Sequence, residues 1–192
     1  MKKSLMISQI LFVLLSPVWL KLTEYLHSIV VAVVWFCYTF SALFIICLVK
    51  QLTVSFQRRV LHVLTSVYAA GLLVLLFFRP NGQRYESYSL SPFETISFYF
   101  SGEVDFLIAF YNLAANIGLF VPFGLYYVYT ARHPSAVKLL AFSLTGITMI
   151  EIMQFITHRG SLDIDDLMLN TIGVLLGYMI FPVFQKVFKL KD

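Results

Sequence analysis

Hydrophobic positions fall in long uninterrupted blocks rather than in alternation. Runs of about 17 to 25 apolar residues recur, each long enough to cross a hydrocarbon core of roughly 30 Å as a helix. No ten-residue alternating pattern suggests a barrel, so the spans are expected to be helical. Six candidates emerge: Leu5 to Leu20, Ile29 to Val49, Val60 to Phe78, Phe106 to Thr130, Ala136 to Thr157 and Leu167 to Phe188. The first follows Lys2 and Lys3 like a signal peptide's charged leader, but SPVWLKL offers no small-x-small cleavage site, and a retained span is expected. The expected fold is an all-α polytopic transmembrane bundle of about six spans. Residues 1–58 supply N-terminal accessory helices, and 59–188 form the main membrane domain.

Composition agrees with this pattern. The 192 residues are 59% hydrophobic and 12% charged, with a mean hydropathy of +0.83, which leaves too little polar surface for a soluble domain. Cys37 and Cys47 lie in one apolar run, roughly 15 Å apart along a helix axis, too far to pair with each other.

The net charge of +4 is better explained by topology than by an anionic partner, and no nucleic-acid partner is expected. With a cytoplasmic N-terminus, inside segments hold Lys2, Lys3, Lys50, Arg58, Arg59, Arg132, Lys138, Lys186, Lys189 and Lys191. Outside segments hold only Lys21, Arg79, Arg84 and Arg159. This is the positive-inside distribution, with both termini cytoplasmic in a bacterial cell membrane. Glu24, Glu86, Glu94, Glu103, Asp105, Asp163, Asp165 and Asp166 fall outside. The outer connection from Arg79 to Asp105 contains SPFETISFYF, which suits a segment lying in the membrane interface near residues 90–101.

Candidate chemistry concentrates in MIEIMQFITHRGSLDIDDLMLN, Met149 to Asn170. Glu151, Gln154 and His158 share one face of the fifth span, with Glu151 roughly 10 Å below its end. An ionised carboxylate at that depth is costly, so Glu151 is expected to face protein or a water-filled pocket. Asn112 and Asn116 share a face of the fourth span, and Pro122 follows, with Gly118 and Gly124 easing close approach. Asp163 is placed to cap the sixth helix, and Asp165 and Asp166 lie in its first turn. Asp163, Asp166, Asn170, Gly173 and Gly177 form one stripe whose GxxxG part lets another helix pack close. The site expected from these faces comprises Glu151, Arg159, Asp166, Gln154, Asn170, Asn116, Asn112, Arg79 and Asp163.

Standard chemistries find little support. DIDDLMLN lacks the central Gly and later ligands of a calcium loop, and no HxxxH or CxxC pair exists, so no metal is expected. Ser161 lies near His158 but without a nucleophile elbow. Phosphate-loop and dinucleotide glycine patterns are missing, and no cofactor is expected.

The ordered pieces NLAANIGLFVPFG (112–124), EIMQ (151–154) and RGSLDIDDLMLNTIGVLLG (159–177), preceded by Arg79, resemble the VanZ-like family. Its pattern is N-x-x-x-N-I-x-x-F-x-P-F-G, then E-x-x-Q, then R-x-x-x-D-x-x-D-x-x-x-N-x-x-G-x-x-x-G. SPFETISFYF resembles the family's segment after the arginine, with Ser89, Leu90 and Ser91 where Asn-Leu-Ile is common. The resemblance implies a part in low-level resistance to the lipoglycopeptide teicoplanin. It implies no particular reaction. Expected partners are membrane lipids, together with a lipid-linked envelope component or an amphipathic antibiotic. An intramembrane enzyme acting on a lipid-linked or amphipathic anionic substrate is the alternative. A transporter is a third reading, disfavoured by the lack of repeated halves.

Overall fold

The computed structural model describes residues 2–17, 20, 29–77 and 88–191. The described residues form seven helices: α1 (Lys2–Leu14), α2 (Ile29–Val49), α3 (Arg58–Phe77), α4 (Glu94–Phe100), α5 (Phe106–Thr130), α6 (Ala136–Ile156) and α7 (Ile164–Val187). Short strands β1 (Val54–Gln57), β2 (Tyr88–Ser89), β3 (Leu162–Asp163) and β4 (Phe188–Lys191) flank them. The all-helical membrane bundle expected from the apolar blocks is what forms. Four of the described helices, α3, α5, α6 and α7, are long and apolar enough to cross a membrane. The interfacial segment expected near residues 90–101 contains the seven-residue α4.

Boundaries follow local chemistry. Asp105 caps α5 by accepting from the Leu107 N–H at 2.8 Å, and Ser135 caps α6 by accepting from Lys138 N–H. Asp163 caps α7, its Oδ1 accepting from Asp165 N–H at 2.8 Å. The end of α6 is a Schellman turn: Arg159 N–H reaches the Gln154 carbonyl at 2.8 Å, and His158 N–H reaches that of Phe155 at 3.1 Å. His158 occupies the left-handed position, φ 55°, where glycine is usual.

By contacts the chain divides into two compact units, Met1–Ser55 with Val183–Lys189, and Phe56–Pro182 with Leu190–Asp192. In the smaller one, α1 and α2 are tied by polar bonds, Trp35 Nε1–H donating to Gln9 Oε1 at 2.8 Å and Gln9 Nε2–H to Thr39 Oγ1 at 3.1 Å. Phe44 stacks on Phe184 at 4.6 Å.

In the larger unit Leu72, Phe120, Leu139, Ile147 and Val174 make one core from all four long helices. Helix α6 shows the logic of a lipid solvent. Its buried stripe is Leu139, Ser143, Ile147, Glu151 and Gln154, while Val137, Phe142, Met149, Met153 and Ile156 are exposed. Apolar surface outward and polar groups inward is stable only where the surroundings are hydrocarbon.

Helices α5 and α7 meet backbone to backbone. A Cβ added to Gly173 would lie 2.1 Å from the Ile117 carbonyl oxygen, and one on Gly177 would lie 2.1 Å from that of Val121. From the other side, a Cβ on Gly124 would lie 1.9 Å from the Val174 oxygen. The GxxxG partner is therefore α5. Both helices advance together along these contacts, so they run parallel, and their N-terminal halves lie at the same end. The sequence also expected Gly118 to ease packing, but nothing lies within 4 Å of a Cβ there. Gly118 points away from the seam.

The two glycine classes should separate by experiment. Gly177→Ala must force the helices apart and is expected to cost about 1–3 kcal/mol, whereas Gly118→Ala should be neutral or stabilising by up to about 1 kcal/mol. Denaturation of the purified protein in detergent measures both; equal effects would contradict the seam.

Candidate functional site

The polar residues of the larger unit gather at one end of the bundle, where α3 and α6 finish and α5 and α7 begin. Glu151 and Gln154, 5% and 4% exposed, come from the last turns of α6. Leu76 lies in the last turn of α3 as described, Arg58–Phe77, where carbonyls take donors from outside the helix. Gln154 Nε2–H supplies one at 3.2 Å. The amide group is clasped from above by Gly160, where any Cβ would approach Gln154 Nε2 to 3.0 Å.

From α5, Asn116 Nδ2–H donates to Asp166 Oδ1, bridging to the first turn of α7. Asn170, one turn deeper on α7, is buried. Leu76, Asn116, Glu151, Gln154, Gly160, Ser161, Asp166 and Asn170 border a small cavity of about 30 Å³. That is the room of about one water molecule. Its rim is the α6–α7 connection, and its wall is carboxylate and amide.

Five residues expected from sequence, Glu151, Gln154, Asp166, Asn170 and Asn116, thus meet around one space. Asn112, Arg159 and Asp163 do not line that space. Asn112 donates to the Ile108 carbonyl of its own helix at 2.9 Å, which spends its amide locally. Arg159 has an exposed side chain, and its backbone closes the Schellman turn. Asp163 is not on the cavity wall; besides capping α7 it accepts from Thr95 Oγ1–H at 2.6 Å. Arg79 lies outside the described residues. Among the described residues no group of three His, Cys, Asp or Glu side chains is placed to hold a metal ion.

Asp165 is the residue that sequence reasoning undervalued. Read as a helix-start charge, it is instead fully buried, at 0% exposed, and faces away from its own helix. Its Oδ1 accepts from Phe93 N–H at 2.7 Å and its Oδ2 from Ile96 N–H at 3.0 Å. These are donors at the start of α4, whose N-cap residue, Phe93, has no side-chain acceptor and sits at φ 66°. A carboxylate shared between backbone donors at a helix start is held by charge-assisted bonds. Parallel pairing of Tyr88 with Leu162 and Ser89 with Asp163 reinforces the junction. No pattern in the sequence signalled this, because SPFE reads as a capping box with Ser91 and Glu94 of its own.

These features define a class: a helical membrane protein with a polar cavity at one end of its bundle. The VanZ/LLP1 family model matches residues 65–185, and the chain belongs to that family. It is also 32% identical over 77 residues to Protein VanZ of Enterococcus faecium, across 40% of this chain and 48% of that protein. The chain therefore matches about half the length of that relative. No solved structure matches.

Two substitutions test the local geometry. Asp165→Asn leaves one acceptor where two N–H groups point, and should cost about 1.5–3 kcal/mol while exposing residues 90–101 to proteolysis or cysteine labelling. His158→Gly should be tolerated without loss of thermal stability, whereas His158→Val should lose about 1–2 kcal/mol for the left-handed backbone. Unchanged labelling in the first case, or equal melting temperatures in the second, would refute these assignments.

Proposed function

We propose that this VanZ-family protein acts at the outer face of a bacterial cell membrane, its polar cavity opening outward and altering how the envelope meets lipoglycopeptides such as teicoplanin. The observation that carries this reading is the buried Glu151, Gln154 and Asn170 meeting the half-buried Asn116 and Asp166 around one cavity in an otherwise apolar bundle. Burying a carboxylate there has a cost that apolar residues would avoid, so a function must be sought for it. The cavity's end also carries Glu94, Glu103, Asp105 and Asp163, while Arg58, Arg59, Arg132 and Lys138 lie at the opposite ends of the long helices. Such asymmetry favours the cavity end as outer, with both termini cytoplasmic. The partner is then a membrane lipid, a lipid-linked envelope component or the amphipathic antibiotic itself.

Expression in a sensitive host tests the proposal. Wild type should lower teicoplanin susceptibility, Glu151→Gln and Arg159→Ala should reduce that protection several-fold, and identical susceptibility for all forms and the empty host would sink it.

A second reading is favoured by one observation: carboxylates from two helices, Glu151 and Asp166, border the same space. In an intramembrane enzyme acting on a lipid-linked or amphipathic anionic substrate, one would serve as acid or base, with Arg159 and Arg79 holding the anion. Lipid and wall-precursor extracts from deletion and overexpression strains would then differ by a defined modification. Identical profiles would remove this reading.

A further inference from the structure

Asn170 adds an observation that the reading above does not use. It is 5% exposed and on the cavity wall, yet its Oδ1 accepts no hydrogen bond among the described residues. A buried amide oxygen without a donor is destabilising, which is tolerated where a ligand or water supplies the donor. The neighbouring amides differ, since Asn116 is engaged by Asp166 and Gln154 by the Leu76 carbonyl. Asn170 is the amide on this wall whose oxygen is left without a donor.

Size and surroundings narrow what fits. A cavity of about 30 Å³ accepts a group of one or two heavy atoms and excludes a trimethylammonium, whose nitrogen also carries no hydrogen. Beside the rim, Asp163 and Asp165 hold α4, and Phe93, Phe98 and Phe100 there are all exposed. An aromatic surface fastened next to a polar pocket suits a molecule that is apolar except for a small head.

We propose that the cavity receives the hydrogen-bond-donating end of a membrane lipid head group, a primary ammonium or a hydroxyl, accepted by Asn170 Oδ1, with the lipid body along the aromatic segment of α4. This deepens, and rests on, the reading of the cavity as a ligand site. A head group of this kind offers one donor to an oxygen that lacks one, and phosphatidylethanolamine and phosphatidylglycerol are the two sources of that shared chemistry. Phosphatidylcholine matches phosphatidylethanolamine in charge but has neither the donor nor the size.

The full-length protein in detergent, titrated with each lipid while its melting temperature is followed, provides the test. Phosphatidylethanolamine, phosphatidylglycerol or both should raise the melting temperature by several degrees and bind at least tenfold more tightly than phosphatidylcholine. A shift with the first alone assigns the ammonium, and with the second alone the hydroxyl. Asn170→Leu should abolish the preference, while Asn112→Leu, away from the cavity, should keep it. Equal binding of all three lipids would overturn the proposal, as would a preference that survives Asn170→Leu, since charge alone would then explain it. If Asn170→Leu fails to fold, the unaltered protein decides through the N-methylated series of phosphatidylethanolamine. For an ammonium ligand, binding must then fall at least tenfold by the trimethyl member. For a hydroxyl ligand, phosphatidylglycerol must bind at least tenfold more tightly than its O-methylated form. Failure of the comparison that applies overturns the proposal. Lipid selectivity is read without antibiotic, so its failure is distinct from unchanged teicoplanin susceptibility.

Discussion

Close backbone contact between α5 and α7 is the constraint on which the rest of the larger unit depends. Where Gly173 and Gly177 meet the carbonyls of Ile117 and Val121, no side chain separates the helices. Lipid tails are as apolar as leucine, so such contact is held by packing rather than by expulsion of water. It also sets register. With Gly173 opposite Ile117, Asn116 and Asp166 come within hydrogen-bonding distance, and Asn170 turns toward the space beneath them. A side chain at the seam would move the polar residues apart before it disturbed the apolar core.

At the end of that seam, polar groups complete one another's unfinished valences. The carbonyl at the close of α3 takes its donor from Gln154, and the amides at the start of α4 take their acceptor from Asp165. Helix ends always leave such groups, and in a membrane protein water reaches few of them. The α6–α7 connection does this work while staying short, because a left-handed residue at His158 reverses the chain and Gly160 lets it lie on Gln154. Glu151 and Asn170 stand below this capping layer. Their burial is not accounted for by helix ends, and the ligand hypotheses rest on them.

The apolar blocks alone placed the long helices closely. Phe106–Thr130 and Ile29–Val49 form as expected, and Val60–Phe78, Ala136–Thr157 and Leu167–Phe188 correspond to α3, α6 and α7 with ends shifted by no more than three residues. The largest of these shifts, at the start of α7, arises because Asp163 caps the helix before its first apolar run begins. Helical periodicity also marked the shared face of Glu151 and Gln154, and the stripe from Asp166 through Asn170 to the glycines. These are local properties, set by rise and turn along one helix, and a linear pattern carries them.

Which helix answers each face was a matter for the tertiary structure. Asn112 and Asn116 are alike in sequence, one turn apart on one face, yet one bonds to its own helix and the other to Asp166. Gly118 and Gly124 are alike too, and only Gly124 lies in the seam. Asp165 and Asp166 are adjacent, but a rotation of about 100° per residue sends one to α4 and the other to the cavity. Spacing along a helix determines which residues point the same way. What they point at depends on the register of the neighbouring helix, and that is decided by packing across segments far apart in the chain.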